Sequence, residues 1–75
     1  MQTSVPPLVP LLRSRTQADV LTLVLLHPGR EWTLTELASR VAASVSTVQR
    51  EIDRAEQTGV VVSRRLGSAR LVTVS

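Results

Sequence analysis

Four stretches of patterned hydrophobicity follow one another along this chain. In the first, Val20, Leu21, Leu23, Val24, Leu25 and Leu26 repeat at helical spacing but spread over more than one face. Ser14 or Thr16 can cap a helix there, and His27-Pro28-Gly29 ends it near Leu26 by proline and glycine chemistry. A surface helix in a small domain needs one apolar stripe. The surplus predicts a second buried contact, and leaves open whether it is a partner copy, a missing domain or a core touching the helix from two sides. Arg30–Thr33 is short and extended. The second helix then opens with a complete start signal: the Thr33 hydroxyl can accept from the Glu36 N–H while the Glu36 carboxylate reaches back, and Trp32 and Leu37 form a hydrophobic staple. Its stripe is Leu34, Leu37, Ala38 and Val41.

The third pattern begins after Ala42-Ala43. Ser44 is one cap; Ser46 with Gln49 is a competing capping box. At about 100° per residue, Val45, Val48, Ile52 and Ala55 share one side. Ser46, Thr47, Arg50, Asp53, Arg54 and Gln57 share the other, and Gln49 falls toward the buried edge. Gly59 stands where a left-handed residue ends a helix. Finally, Val60–Arg65 and Arg70–Val74 are β-branched runs separated by Leu66-Gly-Ser-Ala69, which predicts a hairpin. The expected fold class is α+β: three helices plus a small antiparallel sheet with a C-terminal β-hairpin. Residues 14–75 form the domain, and residues 1–13, with Pro6, Pro7 and Pro10, form an extended Pro-rich arm.

Composition narrows the chemistry. Seventy-five residues make one small domain, with a thin stability margin. With no cysteine and one histidine, disulfides and Cys-based zinc sites are excluded, and no metal or other cofactor is expected. His27 has no second base or nucleophile placed beside it, so enzyme chemistry is not expected; a capping or surface role suits it. No apolar run approaches the ~20 residues that span a bilayer, and no leader-peptide pattern is visible, so the expectation is a cytoplasmic protein without a membrane partner. Net charge is +3. Arg64, Arg65 and Arg70 lie after Gly59 while all six acids lie before it, so a polyanion would feel the hairpin most.

Leu37-Ala38-Ser-Arg-Val41-Ala-Ala-Ser44-Val-Ser46-Thr47-Val48-Gln-Arg50 resembles the helix-turn-helix core of bacterial regulators. Gly59-Val-Val-Val-Ser63-Arg64-Arg65-Leu-Gly67 resembles the entry to their wing. In this order the segments resemble the ArsR-like winged helix-turn-helix transcriptional regulators over residues 16–74. That resemblance implies sequence-specific binding of double-stranded DNA, with a recognition helix at about 45–58 in the major groove and a wing at 60–74 on the backbone. It assigns Ser46, Thr47, Gln49 and Arg50 to bases and phosphates, Arg64 and Arg65 to the backbone or minor groove, and Thr33 and Ser44 to phosphates at helix starts. The outward Arg54 and the hairpin's Arg70 complete the expected DNA-binding set. Physical chemistry supports Arg50 separately, because a guanidinium can bond guanine O6 and N7 together. Pairing of Arg50 or Arg54 with Asp53 or Glu51 is the competing expectation; alternatively, Asp53 orients one of those arginines.

This sequence departs from the family in four places, one of them the core, where Leu71 and Val72 replace common aromatics. Ala42 stands where the turn usually has glycine; the wing tip carries Leu66, Ser68 and Ala69 where basic residues are common; and metal-sensing ligands are absent. Metal-controlled repression is therefore not carried over. A homodimer through helix 1 (about 16–26) is expected to place two recognition helices ~34–36 Å apart. The alternative is a winged-helix protein-interaction or regulatory module of a larger protein with a missing C-terminal domain, of the kind joined to a nucleotidyltransferase-like domain.

Overall fold

The computed structural model describes residues 15–75; the predicted arm over 1–13 and the Ser14 cap lie outside the described residues. Helix α1 spans Arg15–Leu26, followed by strand β1 (Trp32–Thr33), helices α2 (Leu34–Val41) and α3 (Val45–Gln57), and strands β2 (Val61–Leu66) and β3 (Ala69–Val74). Because α1 starts at Arg15, Thr16 sits inside the helix and is not its cap. The sheet is antiparallel in the order β1-β3-β2.

Local chemistry explains each boundary. The capping box at Thr33 is formed, with the Glu36 N–H donating to Thr33 Oγ1 at 3.1 Å and the Thr33 N–H to Glu36 Oε1 at 2.9 Å. Trp32 and Leu37, the two arms of the staple, are both fully buried. Ser44 is the cap of α3, accepting from the Thr47 N–H at 3.1 Å, which resolves the competition with Ser46. The predicted four-residue turn is shorter: Leu66 and Ala69 are paired strand residues, leaving only Gly67 and Ser68 at the tip. Gly67 has φ 62° and Ser68 has no positive φ, the pattern of a hairpin turn with glycine at its first central position.

The core collects one or two residues from every element: Val20 and Val24 of α1, Trp32 of β1, Leu37 of α2, Val48 and Ile52 of α3, Val61 of β2 and Val72 of β3, all essentially without solvent contact. Each contributes about 1.5–3 kcal/mol of burial. Leu21 and Leu23 pack against this cluster as well. Most of the apolar surplus in α1 is thus absorbed by a core that meets the helix from two sides, and only Leu25 (47% exposed) and Leu26 (70%) remain in solvent. Two helical-wheel assignments are corrected. Val45, expected in the buried stripe, is 42% exposed, because the first residue of α3 overhangs the start of α2 instead of facing the core. Gln49, expected at the buried edge, is exposed and lines the groove described next. Among the described residues no helix is long and apolar enough to cross a membrane.

Candidate nucleic-acid interface

The starts of α2 and α3 and the tip half of the hairpin enclose an open groove of about 460 Å³. Thr33, Thr35, Val45, Gln49, Arg65 and Arg70 are among its lining residues. Four predicted site residues from four different elements, Thr33 of β1, Gln49 of α3, Arg65 of β2 and Arg70 of β3, therefore share one concave surface. Three more cluster at the first turn of α3. Ser44 Oγ donates to Thr47 Oγ1 at 2.8 Å and lies 3.2 Å from Ser46 Oγ. This turn presents hydroxyls and the positive end of a 13-residue helix to solvent. Arg50 follows on the exposed side, and among the described residues it forms no ion pair.

The other arginines have different surroundings. Arg54 is half-buried and bonds Glu51 at 3.2 Å, one of the competing pairings expected. Glu51 itself is only 5% exposed, a buried carboxylate on the core side of α3 that the helical pattern had not singled out. Asp53 orients neither Arg50 nor Arg54. It reaches the wing instead, where Arg70 Nη1 donates to it at 2.9 Å. Arg70 also donates through Nη2 to Glu56 at 2.6 Å and through Nε to Ser63 Oγ at 3.1 Å. Ser63 in turn donates to Glu56.

Strand alternation separates the two adjacent wing arginines, because successive side chains leave a strand on opposite faces. Val61, Ser63 and Arg65 point toward α3; Val62, Arg64 and Leu66 point away from it. Arg65 lines the groove and, among the described residues, has no acid partner. Arg64 instead forms a two-point bond with Glu31, at 2.6 Å from Nε and 2.8 Å from Nη2. That hydrogen bond, aided by Coulomb attraction, holds the Glu31 carboxyl below the ordinary glutamate range and raises the Arg64 guanidinium further. The pair that the sequence treats as one basic motif is thus one open cation and one engaged cation. Among the described residues no group of three potential ligands could hold a metal ion.

No family model matches the sequence, and no curated protein resembles it closely enough to be matched. Solved structures do match. Reduced HlyU from Vibrio cholerae superposes with a TM-score of 0.72 at 20% identity, covering 91% of this chain and 68% of that one. A homodimeric winged helix-turn-helix DNA-binding domain from Mycobacterium bovis, Mb0332, a possible ArsR-family transcriptional regulator, gives 0.69 at 16% identity over 88% of this chain and 59% of that one. A mutant MarR from E. coli gives 0.71 at 22% identity over 91% and 51%. At these identities the likeness establishes the fold: this chain is a winged helix-turn-helix, structurally similar to winged-helix transcriptional regulators.

Proposed function

We propose that this winged helix-turn-helix is the double-stranded-DNA-binding domain of a transcriptional regulator. In this reading α3 enters the major groove and the β2–β3 wing lies on the sugar–phosphate backbone. The observation that carries it is that Arg50 on α3 and Arg65 on the wing, both exposed, have no acid partner among the described residues, while the acids around them are engaged elsewhere. A cation already neutralised by a neighbouring carboxylate gains little from a phosphate; an open one displaces condensed counterions and gains affinity. Ser46, Thr47 and Gln49 flank Arg50 as polar contacts. Thr33 and Ser44 place two helix starts against phosphates. Arg54 and Arg64 are secondary contacts, because each must first leave a carboxylate.

Leu25 and Leu26 at the solvent end of α1 favour association of two copies through that helix, setting two recognition helices about one DNA turn apart. The same two leucines are the feature that would favour a protein-docking module in its place. A cytoplasmic location and the absence of catalytic activity belong to this DNA-binding reading.

The test is selection of a duplex from a random pool, followed by anisotropy titration of the selected and a scrambled duplex. Arg50→Ala is expected to cut the ratio of the two affinities by the ~1–3 kcal/mol that a bidentate base contact supplies. Arg65→Ala is expected to weaken both duplexes alike and lower the log–log salt slope by about 0.9. Failure of wild-type protein to retain any duplex at low salt overturns the reading.

A further inference from the structure

The clamp that joins Arg70 to α3 lies at the edge of the proposed interface, and its geometry bears on how the wing presents Arg65. The inference rests on the DNA-binding reading above. Arg65 and Arg70 are register partners across β2 and β3, so their side chains leave the sheet side by side on the face toward α3. Two like charges at directly opposed positions repel. The conflict is resolved asymmetrically. Arg70 is drawn down onto α3, where Asp53 at 2.9 Å, Glu56 at 2.6 Å and Ser63 at 3.1 Å take its donors, and its side chain is only 16% exposed. Arg65 is left projecting into the groove. Asp53 and Glu56 lie one turn apart on a rigid helix, so a planar guanidinium forked between them fixes the distance and angle of the hairpin relative to α3.

We infer that Arg70 is a positioning residue and not a DNA contact: with Asp53 and Glu56 it sets the wing against the recognition helix so that Arg65 meets the phosphate backbone while α3 occupies the groove. The sequence-based expectation of a direct Arg70–DNA contact is replaced by this role. Each of its three nitrogens already donates to a protein acceptor and its side chain is only 16% exposed, so little of its charge is left for a phosphate.

Overall charge and this clamp make opposite predictions for one variant, which supplies the test. Asp53→Asn combined with Glu56→Gln raises the net charge by two, so field strength alone makes duplex binding tighter. If the acids act by holding Arg70, binding weakens in spite of the added charge. The salt slope falls by about 0.9, the share of one phosphate. Adding Arg65→Ala to that variant then costs nothing further, whereas in wild type it weakens binding. Thermal melting of each variant separates a loose wing from an unfolded domain. Tighter binding, or an undiminished effect of Arg65→Ala, overturns the inference while leaving DNA binding intact. If wild-type protein binds no duplex, the functional reading fails by itself. Amide exchange then decides the clamp: exchange across residues 64–70 at least tenfold faster in the variant is expected, and unchanged exchange overturns it.

Discussion

Ala42 closes α2 at φ 56° and ψ 48°, the one non-glycine residue with positive φ among the described residues. Its N–H and that of Ala43 both return to the Ala38 carbonyl, so the tight turn between α2 and α3 depends on this conformation. An L-residue there pays about 1–2 kcal/mol, because Cβ crowds the following carbonyl oxygen. Replacing it with glycine removes that strain but returns about 0.5–1 kcal/mol in backbone entropy. The Ala42 methyl is exposed, so its loss leaves no cavity. Ala42→Gly is therefore expected to stabilise the domain by about 0.5–1 kcal/mol. For a domain of this size that raises Tm by about 2–8 °C, at ~4–8 °C per kcal/mol. Far-UV circular dichroism melts measure it directly. Ala43→Gly is the control: Ala43 is half-buried against the core and has no positive φ, so glycine there lowers Tm. A fall in Tm for Ala42→Gly, or equal responses at the two alanines, refutes the account of the turn.

Two further outcomes follow from charge and exposure. Glu31 has its pKa lowered by Arg64, so the pair adds stability above a free glutamate's 4.5 and loses it as pH falls through the lower folded value. The Tm gap between wild type and Glu31→Gln should therefore be open at neutral pH and close on acidification below 4.5; a gap that widens in acid contradicts it. Leu25→Ser with Leu26→Ser should convert a dimer to a monomer in sedimentation velocity with melting little changed, since neither side chain is in the core; an unaltered sedimentation profile removes α1 from the association surface.

Much of this architecture is legible in the chain because it is set locally. The capping box at Thr33, the cap at Ser44, the glycine that follows α3 and the β-branched hairpin all depend on residues within a few positions of one another, and each forms as the pattern predicts. Local pattern fails where the decisive partner is distant. Arg70 is seven residues from Ser63, 14 from Glu56 and on another element from Asp53; only the packing of the sheet on α3 brings them together. Glu31 and Arg64 are separated by 33 positions, so nothing near Arg64 announces its partner. The separation of Arg64 from Arg65 is a different case. Two-residue strand periodicity places neighbours on opposite faces, so the hairpin pattern itself carries that separation. Val45 shows the limit of a helical wheel, which assigns a side but not what stands opposite the helix's first turn.

The central claim is that the first turns of α3 and the groove face of the wing meet duplex DNA. Backbone amide shifts followed by NMR while a selected duplex is titrated in test it most directly. The largest changes are expected over Ser46–Arg50 and Arg65–Ala69, with Leu21–Val24 of the core-facing α1 nearly still. Shifts confined to α1, or an unperturbed spectrum at saturating duplex and low salt, would contradict it.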